Sequence, residues 1–326
     1  MRFVPHDATR GWAYGRLKMT KSITSVAEKL LPPICLELIA FIRAQVRTLV
    51  CSRLRGPVIP WSKDYELCRK IYVRKIISDP ELRKGFRNAR PLPGAYGVGI
   101  DERCIEYPWF FANLSDSGGN LLDAGSTLNH EHIIEHPSLK KKNLHIITLA
   151  PESDCFWKKG ISYIYSDLRN IPVRDNFYDE IACLSVLEHI GCDNRAFTAG
   201  PGCRQERPFD FLTAVAEMRR VLKPGGTLLV TVPFGAYKHY GMFQQFDSGL
   251  LAKTIQAFGQ GARAETTFFR YSREGWQLSN AEGCADCGFV EWVVDAWQKR
   301  AWPAPVPVEH DHAAAARAVA CLRMVK

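Results

Sequence analysis

Residues 167–191, DLRNIPVRDNFYDEIACLSVLEHIG, and the tract at 218–235, MRRVLKPGGTLLVTVPFG, decide how this chain of 326 residues is read. The first tract places an acid, Asp167, just after the apolar run ISYIYS (161–166) and starts a second apolar run at Tyr178. In the second, the helical pattern FDFLTAVAEMRRVL (209–222) meets Pro224, Gly225 and Gly226, which stop a helix and turn the chain. TLLVTVPFG then reads as a buried strand that opens at its carboxyl end into a loop.

Outward from these tracts the same rhythm continues. NLLDA (120–124), LHIITL (144–149), ISYIYS, YDEIACLSV (178–186), TLLVTVPF (227–234) and AVACLRMVK (318–326) read as buried strands, with helical stretches between several of them. Strand alternating with helix predicts a doubly wound, Rossmann-like α/β sheet. In such a sheet ligands bind at the carboxyl ends of the strands, near the point where strand order reverses.

Residues 1–90 carry 19 Lys and Arg against 7 Asp and Glu, whereas the rest of the chain is slightly acidic. Enzymes that act on nucleic acid surround the site with basic residues, so this distribution disfavours DNA or RNA as substrate. The basic third suits an anionic surface or simply a solvated face. Cys35, Leu38, Ile39, Ile42, Val46, Leu49 and Val50 form a helical stripe flanked by Arg43 and Arg47. Such a stripe ordinarily docks on its own protein; its other use is peripheral membrane contact through residues 35–55. The eleven cysteines include several in apolar runs, and the first twenty residues lack an apolar signal core. A cytoplasmic protein, with that membrane contact as an option, is the expectation.

Taken together and in order, LLDAGS, the strand-end Asp167, LEHIG, VLKPGG and TLLVTVPFG resemble the class I S-adenosylmethionine-dependent methyltransferases. The segment YGVGIDERCIEYPW (96–109) is similar to the start of a methyltransferase-11-like subgroup found with bacterial polysaccharide and secondary-metabolite genes. The resemblance implies a seven-stranded sheet at 119–326, and the charge shift near residue 90 sets before it a basic, mainly helical extension (1–90) and a linker or cover segment (91–118). It implies that Asp123, Ala124, Gly125 and Ser126 hold the methionine end of the cofactor, S-adenosyl-L-methionine. Asp167 and the Leu168 backbone would hold adenine, and Leu184 and Ser185 would line the other side. A family ribose acid is replaced at the end of the second strand by Thr148, with Glu152 as substitute, and later glycines of the first loop are replaced by Thr127 and Asn129. His189, then Glu188, are the candidate bases for a small-molecule or glycan acceptor methylated on oxygen or nitrogen.

Two other classes compete. One is a non-catalytic binding or scaffold protein that retains the fold after losing the ribose acid and loop glycines; the other is a nicotinamide-dependent oxidoreductase, disfavoured by the lack of GxGxxG. The histidines of NHEHIIEH (129–136) and the CADC pair (284–287) lack the matched partners of a structural zinc site, so no metal is expected.

Overall fold

Period-two burial sorts the strand side chains into two apolar layers. The computed structural model describes residues 59–62, 64–196, 206–259 and 261–326; the basic stripe and the membrane-contact segment 35–55 lie outside them. In chain order the principal elements are α1 (Tyr65–Ile77), α2 (Pro80–Arg87), α3 (Arg103–Asn113), β1 (Gly119–Ala124), β2 (Lys142–Thr148), β3 (Ser162–Tyr165) and β4 (Tyr178–Leu184). They continue as α4 (Phe211–Val221), β5 (Leu222–Pro233), α5 (Ser248–Phe258), β6 (Arg263–Ser272), β7 (Gly275–Ser279), α6 (Glu291–Lys299) and β8 (Ala318–Val325).

The strands form one eight-stranded sheet in the order β3-β2-β1-β4-β5-β8-β6-β7. Strands β1 to β5 pair in parallel, β8 runs antiparallel to both of its neighbours, and β6 and β7 form a hairpin. The seven-strand expectation is therefore extended by one: β7 adds to the edge as the return arm of the hairpin. Chain order reverses on either side of β1, so the loops leaving β1 and β4 diverge and open a crevice at their carboxyl ends.

Leu121, Leu144, Ile146, Ala182 and Leu229 point into one core layer, whereas Leu122, Ile147, Ile181, Cys183 and Leu228 point into the other. α4 covers the second layer with Phe211, Ala214, Val215, Met218 and Val221. α3 covers the first, and every residue from Cys104 to Ala112 is buried. That all-round burial follows from its position between the sheet and the pair α1 and α2. Full burial of a side chain such as Phe110 contributes about 1.5–3 kcal/mol.

Local chemistry sets the ends. Asp79 caps α2 by accepting from the Glu81 and Leu82 amides, with Pro80 in the first turn. The LKPGG turn differs from expectation: α4 stops at Val221 and β5 begins at once, pairing Leu222 with Tyr178. A register shift between Tyr178 and Glu180 absorbs the Pro-Gly-Gly stretch inside the strand.

Candidate active site

The crevice is a cavity of ≈ 360 Å³ lined by the turns after β1, β2, β3 and β4. Its walls include Gly125, Ser126, Thr148, Glu152, Asp167, Leu168, Ser185 and His189. Asp123, Ala124, Leu184 and Glu188 do not line it; all four are buried behind it.

Asp123, at the end of β1, accepts from the Thr127 amide at 3.2 Å and the Leu128 amide at 2.8 Å, folding the first loop back on itself. Burial pushes its carboxyl up to about 8, with those two N–H bonds pulling the other way. Asp123 therefore serves the first loop through these two hydrogen bonds. Gly125 has φ +111°, and a Cβ there would lie 2.4 Å from Val186 Cγ2, so only glycine lets the β1 and β4 loops approach this closely.

The two residues that stand in place of loop glycines are both engaged. Thr127 Oγ1 donates to the Leu184 carbonyl at 2.8 Å, tying the first loop to the end of β4. Asn129 Nδ2 donates to Glu152 Oε2 at 2.7 Å and to the Asp154 carbonyl at 3.0 Å. Its Oδ1 accepts from Tyr163 OH at 2.8 Å, and the Tyr163 oxygen accepts from the Phe156 amide. Asn129 thus holds the 149–156 turn in place and orients Glu152. Glu152 Oε1 is buried and has no hydrogen-bond partner among the described residues. Thr148 itself makes a 3.4 Å bond to the Ala150 carbonyl.

At the far end, Asp167 is gripped by Arg169: the Arg169 amide and Nε reach Oδ1 at 2.8 and 3.0 Å, and Nη2 reaches Oδ2 at 2.6 Å. Burial alone would raise the Asp167 carboxyl, but the Arg169 bonds overcome it and hold the group below the ordinary carboxylate value. Arg169 also pairs with Asp210 at the start of α4.

Beyond the end of β4, Ser185 sits at φ +48° and its hydroxyl donates to Glu106, which also accepts from Thr231 Oγ1 at 2.8 Å. His189 Nδ1 lies 2.8 Å from the Met242 carbonyl oxygen, which can only accept. When the ring is neutral, that bond puts the proton on Nδ1 and leaves Nε2 as the basic nitrogen. Burial drives the Glu188 carboxyl well above its ordinary value.

Sequence reasoning missed three contributors. Arg103 and Arg169 line the cavity, and Glu106 lies fully buried beside it. A charged pair three residues apart at the head of the aromatic stretch RCIEYPWFFAN was the available signal for Arg103 and Glu106. Of the histidines of NHEHIIEH, His130 lines the cavity, whereas His136 serves locally: its Nδ1 accepts from the Ser138 amide, so Nε2 carries the proton and donates to the Ile77 carbonyl at 3.1 Å. The CADC turn buttresses the loop after β5, where the Cys287 carbonyl accepts from the Ala236 amide and from Gln245 Nε2.

The donor set fits S-adenosylmethionine: the cavity wall carries the Asp167 carboxylate, Glu152 with its buried Oε1, and Ser126 with its buried Oγ beside the Gly125 turn, the last two oxygens without a partner among the described residues.

Residues 142–230 match the family described as methyltransferase domain. A 74-residue stretch, 23% of this chain, is 34% identical to the Arabidopsis thaliana protein named tRNA (carboxymethyluridine(34)-5-O)-methyltransferase and spans 15% of that protein's length. Among solved structures, the cyclase SpnF aligns with a TM-score of 0.41 at 18% identity, covering 65% of this chain and 76% of its own. The Burkholderia thailandensis 1,6-didemethyltoxoflavin-N1-methyltransferase, solved with that compound and S-adenosylhomocysteine, aligns with a TM-score of 0.40 at 12% identity and covers 91% of both chains.

Proposed function

We propose that the chain, whose residues 142–230 match the methyltransferase-domain family, is a class I S-adenosylmethionine-dependent methyltransferase that acts on an oxygen or nitrogen of a small molecule or glycan precursor. The observation that carries the reading is a cavity in which the β1, β2, β3 and β4 turns converge, with buried oxygens on Ser126 and Glu152 that have no partner among the described residues.

In this reading Asp167, kept ionised by Arg169, accepts from the adenine amino group beside the Leu168 backbone. Glu152, with Oε2 tied to Asn129, offers Oε1 to the ribose hydroxyls and takes over from the acid missing at Thr148. Gly125 and Ser126 approach the methionine end. When bound, S-adenosylmethionine supplies a methyl group already activated on a positively charged sulfur. What remains for the protein is alignment of the acceptor with that methyl, and removal of a proton where the acceptor carries one. His189 Nε2, fixed by the Nδ1 bond to Met242, is the group we assign to that proton.

Calorimetry of the full chain with S-adenosylhomocysteine tests the reading. Saturable binding supports it, whereas no heat at millimolar ligand overturns it and leaves the non-catalytic scaffold. Binding of NADH in its place would favour an oxidoreductase. The short match to a plant protein named for tRNA favours a second reading, an RNA acceptor. Methyl incorporation into bulk tRNA, set against small-molecule and oligosaccharide fractions, separates the two acceptor classes.

A further inference from the structure

We infer that Arg103, contributed by α3 from outside the segment that matches the methyltransferase family, binds the carboxylate of the methionine portion of the cofactor. The inference rests on the cofactor reading above.

Arg103 lines the cavity, and its ties to Ser185 through Glu106 and to the Thr127 loop through Tyr107 put it on the side of the first loop. Its location is fixed from two sides. Tyr107, one turn along α3, donates its hydroxyl to the Thr127 carbonyl at 2.8 Å, and the Arg103 guanidinium lies 5.9 Å from the Tyr107 ring centre. Nη1 bonds Glu106 Oε2 at 2.6 Å, and the other Glu106 oxygen is taken by Ser185 and Thr231. Nε and Nη2 donate to no described residue. The arginine side chain keeps 26% exposure while its glutamate partner keeps none. A guanidinium anchored through one nitrogen and presenting the remaining donors to a cavity is arranged for a planar anion, because its fork matches a carboxylate in two bonds. Ser126 Oγ, buried in the same wall and without a partner among the described residues, supplies a further donor.

The backbone that carries Arg103 is firmly held. In the strap before α3, the Gly97 amide donates to Tyr72 OH, the Gly99 amide to Tyr271 OH and the Asp101 amide to Tyr65 OH. The Ile100 carbonyl accepts from Trp276 Nε1 at 3.0 Å, and the Cys104 carbonyl accepts from Tyr96 OH at 2.7 Å. Preorganisation of this kind lowers the ordering cost of binding.

The test compares two ligands on the full chain by calorimetry: S-adenosylhomocysteine, which carries the carboxylate, and decarboxylated S-adenosylhomocysteine, which lacks only that group. The wild type should prefer the first by roughly 10–100-fold, as a charge-assisted pair contributes. R103A should erase that preference and leave the affinity for the decarboxylated ligand unchanged. Because R103A leaves Glu106 without its ion partner, the double variant R103M/E106Q guards against misfolding and should show the same loss of preference. A preference retained in a folded variant, or an equal loss for both ligands, overturns the inference. Failure of the wild type to bind either ligand removes the cofactor reading itself, which is a different result.

Discussion

Asn129 and Glu152 should behave as one unit in cofactor binding. Asn129 donates a 2.7 Å bond to Glu152 Oε2 and a 3.0 Å bond to the Asp154 carbonyl, and it is itself held by Tyr163. A hydrogen bond to a charged group contributes about 1.5–3 kcal/mol. Glu152 is only half-buried, so water recovers part of that bond when Asn129 is truncated. N129A should therefore weaken S-adenosylhomocysteine binding by about 1–2 kcal/mol, roughly 5–30-fold. E152A removes the acceptor itself and should cost about 1.5–3 kcal/mol, roughly 10–150-fold. If Asn129 acts by aiming Glu152, the double variant should bind within about 2-fold of E152A alone. Calorimetry on the four proteins, each checked for an intact thermal transition, gives the cycle. Strictly additive losses would refute the coupling, and an E152A protein that binds like wild type would remove Glu152 from the ribose position.

Other consequences are equally direct. G191A should unfold or severely loosen the loop after β4, because a Cβ there would stand 1.9 Å from the Arg207 carbonyl oxygen at φ +84°; a chain with unchanged thermal stability would contradict that geometry. D123N should destabilise the fold by about 1–3 kcal/mol in urea titration, since an amide accepts from only one of the Thr127 and Leu128 N–H groups. A neutral outcome there would mean the first loop is held by other contacts. Burial, with His130 and neighbouring cations adding to it, holds the His132 imidazole down to about 3. The folded state thus resists a proton that the unfolded chain accepts below about 6.5, so this stability is full above pH 6.5 and falls as pH drops toward 3. H132Q should flatten the acid limb of the urea midpoint against pH, and an unchanged slope would assign that limb to other groups.

Much of the architecture was legible because burial writes itself into short periods. LLDA, HIIT and EIACL are apolar on both faces because β1, β2 and β4 are covered by helices on each side. The β6–β7 hairpin escaped notice because RAETTFFRYS mixes exposed and half-buried positions at the sheet edge, so its apolar signal is diluted. α3 gave little helical period because nearly all of it is buried. At the site, a strand-end acid such as Asp167 could be located by local pattern, yet its grip by Arg169 and Asp210 could not. Thr127 and Asn129 read as lost glycines only because their partners, Leu184 and Glu152, lie 57 and 23 residues away. Side-chain pairing across the crevice leaves no periodic trace in the chain.

The strap at 97–101 has a consequence for how the protein comes to be assembled. Its fasteners come from both ends of the described chain: Tyr65 and Tyr72 precede it, whereas Tyr271 and Trp276 follow it by 172 and 176 residues. Loops of that span close late, since their entropy is spent before the contacts return anything. The central strands can therefore pair while the wall that carries Arg103 is still open, and the strap is fastened from both sides only once β8 has joined the β6–β7 hairpin to β5. Ligand would then act as a clasp on the last-formed contacts, slowing unfolding from the strap more than from the sheet.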